Sequence, residues 1–315
     1  MEDWLADTVK SIQMKDGDSI LEIGCGTGMI LFSLESRESY LDAEFLEDVL
    51  KRAIQNGYRH FDESEVYTTE PVLGRALKAF PNIPRSELFI TSKVHPWMGI
   101  KDKDVEGALR KSLEALGLDY VDLYLIHTPF MEIGGLSLEE AWASMEAVKA
   151  NGLARHIGVS NFRPNSLERL LRCAREKPEV NQIELHPYHY EHDTVECCRG
   201  HDIRIAAYGP LTPVGRSANG PLRPILDSMA GKYKVTPGQV LLKWQHQQGF
   251  LTITTTTKDE RQKAQLVLDF SLEEGDVRLI TEEGAKFPQQ LCGWGTGSPR
   301  EGETIDYEEL LSKSL

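Results

Sequence analysis

No apolar stretch of the chain approaches the roughly 18–20 uncharged residues that cross a bilayer, so no membrane-spanning helix is expected. Positive charge is in short supply: 35 Lys and Arg stand against 49 Asp and Glu, a net charge of −14. That balance works against broad contact with nucleic acid or an anionic membrane, while leaving room for a local basic pocket. Residues 1–7 are acidic and lack the basic-then-apolar order of a signal peptide. The last three residues, Lys313, Ser314 and Leu315, miss the peroxisomal tripeptide. Cysteine is sparse and odd in number: Cys25, Cys173, Cys197, Cys198 and Cys292, with no ligand-like spacing. Free thiols in a reducing cytoplasm are expected from this, and no metal. No Pro/Gly/Ser-rich linker or low-complexity tract divides the 315 residues.

What the chain does have is alternation. Short β-rich runs at 21–26, 60–64, 88–94, 121–127, 156–161, 180–185, 203–208 and 251–257 are separated by stretches with helical periodicity. Most of the runs are nearly continuously apolar, as parallel strands covered on both faces require. Residues 104–116 place Val105, Ala108, Leu109, Leu113 and Leu116 on one helical face. A helix over 138–150 starts behind Ser137 with Glu140 three residues on, and stops at Asn151-Gly152. A third, 237–248, opens on Thr236-Pro237. The interval from about 206 to 254 is longer than the others and is expected to hold an extra loop. Eight βα units without a break predict a single (β/α)8 barrel over residues 1–315. The tail from about 282 to 315 is expected to form an irregular loop across the active-site end.

One motif points elsewhere. Leu21-Glu22-Ile23-Gly24-Cys25-Gly26-Thr27-Gly28 is a strand entering a glycine-rich turn, and alone it resembles the first motif of S-adenosylmethionine-dependent methyltransferases. That fold needs a second buried strand ending in an acid within roughly 20 residues. Residues 31–50 are instead largely polar and helical in pattern.

Barrel chemistry sits at the carboxyl ends of strands. There the second, third and fourth strands supply Asp62, Tyr67, Lys93 and His127. A lysine aimed at a barrel mouth needs a carboxylate partner, and Asp62 is placed to be one. An ammonium beside a phenol stabilises the phenolate, which is expected to lower the pKa of Tyr67 and make it a general acid. His127 can orient a substrate carbonyl. Each residue alone has an ordinary structural reading as an ion pair or a satisfied core group. Four complementary groups from three consecutive strands are harder to read that way.

Over nearly its whole length the sequence resembles the aldo-keto reductase superfamily. The resemblance rests on Gly57-Tyr58-Arg59-His60-Phe61-Asp62 with Tyr67 and Glu70, Ile90-Thr91-Ser92-Lys93, and 120–127 followed by Thr128-Pro129. It continues through Gly158-Val159-Ser160-Asn161-Phe162 and Asn181-Gln182-Ile183-Glu184. Residues 135–142 and the threonine-rich last strand look most like the fungal α-keto amide reductase branch. The resemblance implies NADPH-dependent reduction of a small-molecule ketone or aldehyde, with Asp62, Tyr67, Lys93 and His127 as the catalytic set. It also implies that Ser160, Asn161 and Gln182 hold the nicotinamide carboxamide and that Tyr208 stacks on its ring. It implies, too, that Gly26, Thr27, Gly209 and Leu211 complete that end of the NADP(H) site. Trp97, Phe130 and Trp294 are the expected apolar walls for substrate.

The phosphate end departs from the family pattern. Where the family has Ile-Pro-Lys-Ser followed by Arg and Asn, this chain has Ile253-Thr254-Thr255-Thr256, Arg261 and Gln265. Thr255 thus stands where a lysine would face the adenosine 2′-phosphate. Thr255, Thr256, Arg261 and backbone N–H groups are expected to cradle it instead. Two further departures are Glu63, where the family has a small residue, and Gly28-Met29, near a usual tryptophan. Besides the methyltransferase, the alternative is a non-catalytic barrel that senses nicotinamide nucleotide.

Overall fold

Strands buried on both faces carry apolar side chains on both, and that composition closes the sheet here into a barrel. The computed structural model describes residues 11–14, 17, 19–28, 43–96 and 103–291. Two short antiparallel strands come first, β1 (Ser11–Gln13) and β2 (Ser19–Leu21). Eight parallel strands follow: β3 (Ile23–Gly26), β4 (His60–Asp62), β5 (Phe89–Val94), β6 (Val121–Ile126), β7 (Ala154–Ser160), β8 (Val180–Glu184), β9 (Arg204–Tyr208) and β10 (Leu251–Thr254). They pair in sequence order, and β10 closes the barrel by pairing with both β9 and β3.

The helices wrapping this barrel are α1 (Ala43–Gln55), α2 (Glu70–Lys78), α3 (Val105–Leu116), α4 (Leu138–Ala150), α5 (Pro164–Leu171), α6 (His192–Gly200), α7 (Arg223–Tyr233), α8 (Pro237–Gln247), α9 (Asp259–Leu266) and α10 (Glu274–Ala285). Their ends follow local chemistry. The Asp104 carboxylate caps α3 at the Gly107 N–H, and Gly117 ends it in the left-handed conformation. Reciprocal capping boxes open α4 (Ser137 with Glu140) and α8 (Thr236 with Gln239). Each cap of this kind contributes about 1 kcal/mol.

The barrel expectation holds, with local corrections. The run 21–26 is broken at Glu22: Leu21 ends the β1–β2 hairpin, and the barrel strand starts at Ile23. The hairpin puts Met14 and Ile20 under the barrel floor, against Phe89, Leu123, Leu125, Val180, Ala206 and Leu251. Fully burying one such side chain is worth about 1.5–3 kcal/mol. The long interval before the last strand holds the expected extra loop, residues 209–222 with a 3-10 turn at Thr212–Val214, and an additional helix, α7, ahead of the expected α8. The last strand ends at Thr254, so Thr255 and Thr256 lie in the loop beyond it. The tail is helical to Ala285. Beyond it, the Gln289 N–H donates to Tyr188 O and the Leu291 N–H to Glu184. The rest of the expected loop, 292–315, lies outside the described residues.

Candidate active site

The last residues of β4, β5 and β6 and the loops after them meet at the carboxyl end of the barrel. Pairing of His60 with Phe89 and of Lys93 with Leu125 aligns the three strands, so Asp62, Lys93 and His127 converge from adjacent positions. Asp62 and Lys93 are both buried, with Lys93 wholly so. The Lys93 ammonium donates to Asp62 Oδ1 at 2.6 Å and to the carbonyl of Glu63 at 2.8 Å. The other Asp62 oxygen accepts from Gln182 Nε2 at 2.7 Å. Burial by itself pulls the Lys93 pKa down. The charges of Asp62 and Tyr67 outweigh burial and hold it above the ordinary lysine value, so Lys93 is a firm cation.

Tyr67 ends a single 3-10 turn (Glu65–Tyr67) after β4, and its ring lies 5.1 Å from the Lys93 ammonium. The expected lowering of the phenol pKa is not the net result. Burial raises it more than Lys93 lowers it, and the phenol sits at about 12. Its hydroxyl is 3.4 Å from His127 Nε2, and the two rings meet edge to face. Burial, reinforced by His95 and Lys93, pushes the His127 pKa well below 6.5, so the imidazole is neutral. The Ser64 hydroxyl is 3.0 Å from His127 Nδ1 and 3.4 Å from the Lys93 carbonyl. A cation, a phenol and a neutral imidazole thus surround one point at the barrel mouth. A family model described as "Aldo/keto reductase family" matches residues 22–283. The chain belongs to the aldo/keto reductase family.

Individual relatives agree. Over 257 residues the chain is 43% identical to an NAD/NADP-dependent indole-3-acetaldehyde reductase of Schizosaccharomyces pombe, covering 80% of this chain and 87% of the relative. It is 36% identical over 292 residues to an NADPH-dependent alpha-keto amide reductase of Saccharomyces cerevisiae, covering 89% and 93%. A crystal structure of a Bombyx mori aldo-keto reductase in complex with NADP superposes with a TM-score of 0.79 at 33% identity, over 88% of this chain and 93% of that one.

The remaining residues expected at an aldo-keto reductase cofactor site sit at the same end of the barrel. Ser160 ends β7 and donates to Gln182 O at 2.8 Å. Asn161 turns out of the strand with φ of 62°, donates to the His127 carbonyl at 2.9 Å and accepts from Tyr208 Oη at 2.8 Å. Beside them lies a shallow cleft lined by Asn161, Arg163, Glu184, His189, Tyr208 and Gln290, among others. Gly209, also at positive φ, and half-buried Leu211 follow β9. Gly26 ends β3 opposite Asp62, and Thr27 is buried just beyond it.

At the phosphate end, the Thr255 hydroxyl donates to the Gly26 carbonyl at 2.5 Å. Thr256 Oγ accepts from the Lys258 N–H, and Arg261 is exposed on α9. Gln265 is buried and accepts from Tyr58 at 2.8 Å. Phe130 is buried beyond β6, while Trp97 and Trp294 lie outside the described residues. Among the described residues no group of His, Cys, Asp or Glu is arranged to hold a metal ion.

Two features went unread in the sequence. Ser64, whose hydroxyl touches both His127 Nδ1 and the Lys93 carbonyl, carries no pattern beyond standing two residues after Asp62. Gly28 packs on Tyr67: a Cβ there would come within 2.6 Å of the phenol ring, so only glycine leaves the ring in place.

Proposed function

We propose that this chain reduces the carbonyl of a small-molecule ketone or aldehyde to an alcohol using NADP(H), with Tyr67 giving the proton. The observation that carries the reading is the buried Asp62–Lys93 pair at 2.6 Å, with Tyr67 and His127 beside it. Gln182 supports the cofactor assignment. Its Nε2 is taken by Asp62, and its Oε1 has no partner among the described residues, which suits a carboxamide N–H. Half-buried Tyr208 offers a flat face to a flat ring. The nicotinamide, when bound, supplies the hydride.

Lys93 holds positive charge where the phenolate of Tyr67 forms. Asp62 keeps Lys93 charged and aimed, and the neutral His127 ring directs the carbonyl oxygen toward the phenol. A cytosolic setting fits free thiols at Cys25, Cys173, Cys197 and Cys198. The acidic surface gives nucleic acid no general purchase. The methyltransferase alternative asks for an open sheet, whereas the glycine-rich turn belongs to a closed barrel.

Fluorescence titration with NADPH, then nicotinamide absorbance with a panel of keto esters, diketones and aldehydes, tests the reading. Binding with turnover supports it. Binding without turnover makes the chain a nucleotide sensor, and binding of S-adenosylmethionine in its place overturns it.

The phosphate end yields a second measurement. Because the Thr255 hydrogen is committed to Gly26, Thr256, Arg261 and the α9 N-terminus are left to hold a 2′-phosphate. Thr255→Lys is expected to tighten NADPH relative to NADH by about tenfold, the scale of one charge-assisted contact. An unchanged Kd ratio would show that position 255 does not face the phosphate.

A further inference from the structure

Directly after Asp62, Glu63 places a carboxyl group in the wholly buried region between β4 and the start of α2. Its Oε2 lies 2.7 Å from Thr27 Oγ and 2.6 Å from Thr69 Oγ, and those two hydroxyls are 2.9 Å from each other. Three oxygens therefore form a closed triangle with three hydrogen-bonding edges. An ionised Glu63 leaves two hydrogens for three edges, and both would point at one oxygen. A protonated Glu63 supplies the third hydrogen: the acid donates to one threonine, that threonine to the other, and the second back to Oε2. Every edge is then satisfied. The other carboxylate oxygen, Oε1, is buried and has no partner among the described residues. A bare charge there would be costly, whereas the carbonyl oxygen of a neutral acid costs far less.

The triangle also reaches the reacting groups. Thr27 is followed by Gly28, whose backbone lies against the ring of Tyr67. The Glu63 carbonyl accepts from Lys93, and the Thr27 N–H donates to the Asp62 carbonyl at 3.2 Å. We propose that Glu63 works as a neutral carboxylic acid, a positioning residue whose proton closes a three-oxygen ring with Thr27 and Thr69. The ring seats Gly28 against Tyr67, and loss of the proton opens the ring and slows carbonyl reduction on the alkaline side.

The titratable groups facing Glu63 are Cys25 from β3, Tyr67 from the turn, Glu70 at the start of α2 and Lys93 from β5, with Asp62 beside it on its own strand. Burial raises the Glu63 pKa to about 8, with the threonine hydrogen bonds and Lys93 pulling it down and Glu70 pushing it up. The folded-state pKa is above that of a free glutamate. Its contribution to stability is thus complete below about 4.5 and is lost as pH rises through about 8.

Glu63→Gln mimics the neutral acid, and Glu63→Ala removes the ring. At pH about 6.5, E63Q is expected to keep kcat within about twofold of the wild type, and E63A to lose about tenfold or more through misplacement of Tyr67. Wild-type kcat should fall as pH passes about 8, with that limb displaced upward in E63Q. Thermal melts give a readout that does not depend on turnover: the Tm of E63Q relative to wild type should climb between pH about 4.5 and 8. A Tm difference that ignores pH overturns the neutral acid. An alkaline limb shared by E63Q and wild type, or E63Q as slow as E63A at pH about 6.5, overturns its link to catalysis. The catalytic half rests on Tyr67 as proton donor, and the melts do not. Rapid turnover by Tyr67→Phe would sink the donor assignment and leave the protonation of Glu63 standing.

Discussion

Tyr67→Phe is expected to lower kcat for carbonyl reduction by about 10²–10⁴-fold while leaving the Kd of the nicotinamide cofactor unchanged. The direction follows from acidity. With its pKa at about 12, the phenol is protonated at neutral pH, the form a donor needs. The alkoxide made by hydride addition is about as basic as hydroxide, whose conjugate acid has a pKa of about 15.7. Proton transfer from Tyr67 is therefore downhill, and Lys93 strengthens it by stabilising the phenolate as it forms. Phenylalanine keeps the ring against Gly28 and the lysine, so packing is preserved and only the proton is lost. Steady-state kinetics beside a fluorescence titration separate the two effects. A variant turning over near the wild-type rate would remove Tyr67 as the acid.

Much of this arrangement can be read before any coordinates. Asp62, Lys93 and His127 stand out because each is a polar group closing an apolar run, and a parallel barrel sends all such ends to one face. The helices with strong end signals, at Ser137 and at Thr236-Pro237, fall where those signals put them. The N-terminal hairpin was not legible, because strands of three residues are too short for any period to show. The ring around Glu63 joins residues 36 and 42 positions apart, and only closure of β3 onto β4 brings Thr27 to them. Lys93 beside Tyr67 gives the sign of one influence on the phenol. The depth of burial, which decides the net pKa, is a property of the packed barrel and has no local mark in the chain. The direction of the Thr255 hydroxyl is hidden for the same reason.

Asp62→Ala is expected to destabilise the fold by about 3–5 kcal/mol, because it strands a fully buried ammonium. In the intact protein Lys93 Nζ has two acceptors, Asp62 Oδ1 and the Glu63 carbonyl, and only the carbonyl survives the change. Gln182 Nε2 loses its acceptor at the same stroke, leaving a second donor without its bond. For a chain of 315 residues the loss corresponds to a Tm lower by about 5–8 °C. The size of the deficit should depend on pH. With the aspartate gone, burial, already the largest single influence on Lys93, loses its main counterweight and drives the folded-state pKa below the free-lysine value of about 10.4. The variant then sheds the lysine proton on folding, so its stability rises with pH up to that value and its Tm deficit narrows. Asp62→Asn, which keeps an oxygen acceptor without the charge, should fall between the two. A deficit under about 1 kcal/mol that stays constant with pH would mean the Asp62–Lys93 pair behaves as an exposed ion pair does. The charge that steadies the Tyr67 phenolate would then have to come from elsewhere.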